Sequence, residues 1–170
     1  NLNSGTNTFE NISMIHSSGI FDSDIDVTIN NGFNMVGTFR GTNNLQVNGT
    51  YTAQGFVLNS GNVTVSSSLV SNGVTIGNGM ATGDITVSGP TTINSTLVIR
   101  KKTLYLNGGA TLSSNLGITE GGIVNNPFGQ TVTSTGGGGT VISANFFSGP
   151  ATFNNVGTFI RNGSSSLNVN

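Results

Sequence analysis

The 170-residue sequence has no cysteine and no tryptophan, and only 6% of it is Asp, Glu, Lys or Arg. Without cysteine there is neither a disulfide framework nor a thiolate zinc site. A soluble domain ordinarily carries roughly a quarter charged residues; here the net charge is −1, with a single histidine. That balance leaves no basic patch for nucleic acid or anionic lipid. No apolar run approaches the roughly 20 residues that a spanning helix requires. No segment places apolar residues at i, i+3, i+4 and i+7, and 26 glycines would undermine a helix that did. Hydrophobic residues still make up 34% of the chain and recur at regular intervals, unlike a disordered tail.

What is abundant is glycine, asparagine, serine and threonine, together roughly 55% of the chain, far above ordinary usage. Short apolar-x-apolar triplets punctuate this background, each followed by small turn formers. They run Val27-Thr-Ile29, Leu45-Gln-Val47, Val63-Thr-Val65, Ile85-Thr-Val87 and Leu104-Tyr-Leu106, with looser members at Ile123, Val141 and Phe159. Their starts lie about 18 to 22 residues apart, the period of a stacked-repeat protein. Between them, six-residue steps such as Phe33, Phe39, Leu45 divide each period into three. Alternate side chains of a strand point to opposite faces, so Val27 and Ile29 go inward and Thr28 outward. Asn and Gly tolerate the backbone of a sharp corner.

Three short strands and three corners close one turn of a triangular solenoid, and one coil cannot bury its apolar face without neighbours. The expectation is an all-β, single-stranded parallel β-helix over residues 1–170 as one domain, right-handed, with about nine coils and a length of roughly 40 Å. An antiparallel sandwich also has short strands, but it does not predict matched triplets at a constant coil-length offset.

A second repeat crosses the chain. Ser4-Gly-Thr-Asn-Thr-Phe9-Glu-Asn-Ile12 matches Ser148-Gly-Pro-Ala-Thr-Phe153-Asn-Asn-Val156, with a middle copy from Ser88 to Ile93. The match predicts that the first and last coils are the same structural unit. Neither end carries an amphipathic helix or a run of charge to stop stacking, so either each end is a template for another strand in an end-to-end fibre or the chain is a piece of a longer solenoid. The candidate self-assembly residues are Phe9, Ile12 and Ile15 at one end and Phe153, Val156, Phe159, Leu167 and Val169 at the other.

The segment Phe153-Asn-Asn-Val-Gly-Thr-Phe159-Ile-Arg-Asn-Gly163 resembles the coils of large bacterial surface β-helices of the haemagglutinin and autotransporter-passenger type. The six-residue rhythm and uncapped ends are also similar to bactofilins, whose right-handed β-helices polymerise end to end without nucleotide. The resemblance implies a structural or adhesive surface protein.

Candidates for chemistry are few. Asp22, Asp24 and Asp26 alternate with inward positions and form an outer acidic row, the weak metal candidate, for Ca²⁺, and otherwise a solvated face paired with Arg40. Carboxylate catalysis needs a second acid at a defined separation, which neighbouring coils do not supply. His16 is the only histidine, so no catalytic triad can be built. Arg100, Lys101 and Lys102 form the one basic cluster, read first as a corner that aids solubility and, as the functional alternative, a surface contact for an anionic glycan or a neighbouring filament. Thr131 to Gly139 reads as an extruded loop, and no helix follows its glycines to cradle phosphate. Thr28, Thr64 and Thr86 share an outer column that Gln46 and Tyr105 interrupt, short of the sustained ladder that ice binding needs.

The chain opens at Asn1 without Met, read as a mature or trimmed product. The expected function is a secreted, non-enzymatic subunit that self-assembles head to tail into an extracellular filament. The alternative is an adhesin segment that binds a glycan or receptor. No cofactor, nucleic acid or membrane span is expected.

Overall fold

The computed structural model describes residues 7–77, 83–136, 141–143, 149–162 and 168–169. The described residues form parallel strands and no helix, and they wind into a β-solenoid with three faces. On the first face, Val27, Leu45, Val63, Ile85, Leu104, Val124 and Phe153 pair in succession. The second runs Ile12, Phe33, Tyr51, Leu69, Thr91, Ala110, Val132 and Phe159. The third runs Phe21, Phe39, Val57, Ile76, Ile99 and Ile118. Every predicted triplet that begins a first-face rung from Val27 to Leu104 is a strand with its outer residues buried and its middle residue turned outward.

The core is continuous through about six turns, fewer than the nine expected. The fully buried core runs only from Val27 to Ile142, and the coils are longer than expected. First-face partners are 18 residues apart from Val27 to Val63, then 22 to Ile85, and the last step spans 29, from Val124 to Phe153. Corners lengthen while the three faces stay in register, so an average near 18 overcounts.

Two strands, Val27–Gly41 and Thr50–Asn59, run unbroken across the corner between the second and third faces. Gly37 and Gly55 stack there with φ of 140° and 111°, a region that favours glycine. A Cβ on Gly55 would lie 2.1 Å from the Gly37 carbonyl oxygen. At the corner entering the first face, Asp26, Asn44, Asn62 and Asp84 form a ladder of their own. The Asn44 amide donates to Asp26 Oδ1, Asn62 to Asn44 Oδ1 and Asp84 to Asn62 Oδ1, at 2.9, 3.0 and 2.9 Å. Each Asx side chain thereby satisfies a corner amide of the next coil, which the strand ladder alone would leave unpaired.

Inside, Phe33 stacks on Tyr51 with ring centroids 4.9 Å apart, and Phe21 stacks on Phe39 at 5.5 Å. The Tyr51 hydroxyl donates to Met35 Sδ, and complete burial pushes its phenol well above the usual range. Thr91 and Ser71 interrupt the aliphatic columns with buried hydroxyls that have no partner among the described residues.

Two substitutions test this accounting in urea and thermal melts. Gly55→Ala should destabilise by more than about 1 kcal/mol, because neither the φ nor the space suits a side chain. Thr91→Val should stabilise by about 1 kcal/mol by removing an unsatisfied buried hydroxyl at nearly constant volume.

Candidate functional site

The three aspartates of the acidic row have separate tasks. Arg40 Nη2 donates to Asp22 Oδ2 at 2.7 Å and Arg40 Nε to Oδ1. This hydrogen-bonded pair holds the Asp22 carboxyl below its ordinary value and the guanidinium above its own. Asp26 is the first rung of the Asx ladder. Asp24 is exposed, and its backbone oxygen accepts from Asn43 Nδ2. Among the described residues no three His, Cys, Asp or Glu side chains converge on a point that could hold a metal ion. The structure does not gather the metal candidate Asp22, Asp24 and Asp26 into a ligand set: the carboxylates of Asp22 and Asp26 each bond a partner one coil away, and Asp24 is exposed.

The basic cluster also divides. Arg100 Nε donates to Glu120 Oε1 at 2.8 Å, across one coil. Lys101 turns the corner in the left-handed region, with φ of 55°, and is exposed. Lys102, expected as a surface contact, is only 2% exposed. Its Nζ donates to the carbonyls of Gly61 at 2.7 Å and Gly83 at 3.1 Å. Asn59 Nδ2 donates to the same Gly61 oxygen and to the Asn43 carbonyl. The corner carbonyls of several coils thus converge on buried nitrogen donors. Nothing in the run of three basic residues distinguishes the one that turns inward; the only signal is its place two residues before Leu104, at a corner. The Thr131–Gly139 loop is corrected in part as well. Thr131–Ser134 is a strand between partners on both sides, while residues 137–139 lie outside the described residues.

At the ends, the sequence match does not become structural equivalence. Phe9 pairs with Ile29, the second inward position of the first face, whereas Phe153 continues the column of Val27 and Val124, the first. Ile12 instead shares its column with Phe159. Phe9 and Ile12, with Met14 and Phe21, are half-buried against the core, as are Phe153 and Phe159. Phe9 meets Phe21 edge to face at 6.4 Å, and Phe153 meets Phe159 likewise. Ile15 and Val156, read as members of the same apolar faces, are 79% and 68% exposed, each just past the end of a strand. Val169 pairs through its backbone with Ile142, and Leu167 lies outside the described residues. Asn155 and Arg161, which were not singled out, occupy inward columns above Asn126 and Ser134 in the last rung.

The outer columns complete the inventory. On the first face Thr8, Thr28, Gln46, Thr64, Thr86, Tyr105, Asn125 and Asn154 stand in register, with the interruptions the triplets predict. The second face adds a column that the triplets did not reveal, Thr52, Val70, Thr92, Thr111 and Thr133. The third exposes Ile20 and Phe56. His16 accepts from or donates to Ser18 Oγ through Nδ1 at 2.7 Å in an exposed turn. Comparison with protein families, curated proteins and solved structures finds no match, so what stands of the resemblance to bacterial surface β-helices and bactofilins is the parallel β-solenoid class alone.

Lys102 generates a pH prediction. Burial pulls its ammonium from 10.5 down to about 8, against the opposing charge of Asp84. Between those values the unfolded chain keeps a proton that the folded one has lost, so stability rises with pH. The rise should begin near pH 8 and end near pH 10, where ionisation of Tyr51 in the unfolded chain favours unfolding. Urea midpoints should show this, and Lys102→Met, which cannot titrate, should flatten the rise.

Proposed function

We propose that this chain is a structural, non-enzymatic β-solenoid subunit, secreted and right-handed, that joins copies head to tail into an extracellular filament. The observation that carries the reading is the character of the terminal rungs. Among the described residues, the strands Asn7–Met14 and Ile20–Ser23 have ladder partners on one side only, as do Thr152–Asn155 and Thr158–Arg161. Each rung lays half-buried phenylalanines over the core, and an unpaired parallel edge above apolar side chains is a template for another coil. Ile12 and Phe159 share a column, so a head-to-tail seam places one over the other. Arg161 in the same rung is exposed, and its aliphatic stem can cover the seam while the guanidinium reaches solvent. The net charge of −1 gives little self-repulsion. The right-handed sense is the one that parallel strand crossovers take almost without exception.

The titratable groups support a non-enzymatic reading. Asp22 is taken by Arg40, Glu120 by Arg100, and Lys102 by two backbone carbonyls.

Electron microscopy and sedimentation of the purified protein test the reading. Fibres of solenoid width should form above a critical concentration. Ile12→Arg and Phe159→Arg, at opposite ends of one column, should each abolish them while circular dichroism still reports the β-fold. Monodisperse short rods at every concentration, or fibres unchanged in both variants, would overturn it.

A further inference from the structure

We infer that the first face of the solenoid is a docking surface for a neutral polysaccharide strand laid along the rod axis, with Tyr105 as its aromatic platform. The outward column from Thr8 to Asn154 contains hydroxyl and amide groups, one tyrosine and no charge over its whole length. Three carboxylates lie beside it, and that of Glu10 accepts from Asn30 and Asn31 at 3.0 and 3.1 Å. Asp26 is engaged by the Asn44 amide, and Asp84 lies close enough to Lys102 for the two charges to offset one another. A surface of this kind offers donors and acceptors in pairs with only carboxylates beside them, which matches a chain of sugar hydroxyls and repels a uronate or sulfated chain.

The polar groups are held in place before any ligand arrives. Gln46 Nε2 donates to Asn48 Oδ1 at 2.8 Å and to Ser66 Oγ at 2.9 Å, and Asn48 Nδ2 donates to Asn30 Oδ1 at 3.2 Å. Farther along, Asn154 Nδ2 donates to Asn125 Oδ1 at 2.8 Å. Side chains fixed by such ladders lose little further freedom on binding. A shallow groove of about 340 Å³ opens between the Asx ladder and this column, floored by Asn44, Gln46, Asn62 and Thr64 with Asp26 at its edge. Two rungs beyond Thr64 the column reaches Tyr105, directly above Thr86. Its hydroxyl makes no hydrogen bond among the described residues, and its half-buried ring stands among small polar neighbours. An aromatic face beside hydroxyl and amide groups suits a sugar ring, apolar on one face and polar at its edge. Four rungs separate Thr28 from Tyr105, about 19 Å at strand spacing, room for several sugar units.

The other faces fit less well. The second has Val70 in its outer column and no aromatic residue there; the third mixes the Asp22–Arg40 pair with exposed Ile20 and Phe56.

The test is retention of the intact protein by soluble glucan, mannan and galactan in affinity gels and by cellulose and chitin in pull-downs, with polygalacturonate as the anionic control. At least one neutral polysaccharide should retain it. Tyr105→Ala should weaken that retention about tenfold, and Thr64→Arg should abolish it. Thr111→Arg, on the second face, should leave it unchanged, and all three variants should melt as the parent does. Retention by polygalacturonate alone, by no polysaccharide, or with equal losses in Thr64→Arg and Thr111→Arg would overturn the assignment. So would faceting of ice crystals without any polysaccharide retention. Repeating the gels with Ile12→Arg separates this surface from the end-to-end seam, since a face that binds sugar does so in a single rod.

Discussion

Backbone stacking of each coil on the one before it is the constraint on which the rest of the molecule depends. Parallel strands about 4.8 Å apart leave no room for a corner that drifts sideways, so residues one coil apart must adopt nearly the same conformation. The high glycine and asparagine content follows from this. At Gly49 an added Cβ would lie 1.1 Å from the Asn31 carbonyl oxygen, a distance no adjustment of a side chain relieves. At the neighbouring corner the Asx ladder uses short side chains as acceptors, which longer residues could not supply without leaving the stack. The same constraint aligns the core: an inward side chain sits over an inward side chain, as Val47 does over Val65 and Phe33 over Tyr51.

Charges enter this framework where they tie coils together. Asp22 and Arg40 lie in adjacent rungs, as do Arg100 and Glu120. Lys102 reaches back past one coil to a second, joining Gly83 and Gly61 next to the 22-residue coil between Val63 and Ile85. Burying an ammonium there costs desolvation, and its lowered proton affinity is the mark of that cost. Two carbonyl partners offset it, at a corner where regular strand pairing has ended.

How much of this was legible depended on the range over which each feature is determined. Alternation within Val27-Thr-Ile29 or Leu104-Tyr-Leu106 is local, so inward and outward positions, and the Thr28–Tyr105 column, could be read directly. Which column a residue joins depends on the summed length of all preceding coils. Phe9 and Phe153 sit in similar local motifs yet occupy different columns, because coils of 22 and 29 residues shift the phase. The same accumulation, with a fully buried core that runs only from Val27 to Ile142, turned an expected nine coils into about six core turns. Lys102 was misread for a related reason: at a corner the alternation that assigns inside and outside breaks down. Val156 follows the strand Thr152–Asn155 and escapes the pattern in the same way.

The geometry of a solenoid also separates what its surfaces can do. The two terminal rungs, where strand edges and half-buried phenylalanines lie, are separate from the three flanks. Whatever coats the flanks is free to vary from face to face, since an outward side chain need only avoid disturbing the stack. The faces do differ: amide and hydroxyl on the first, threonine with valine on the second, ion pair and exposed apolar residues on the third. Stacking alone would be served equally well by any outward residue of strand-forming type. A charge-free column with its amides tied in place is more order than the stack demands, and that surplus order is the reason to look for a ligand on the first face.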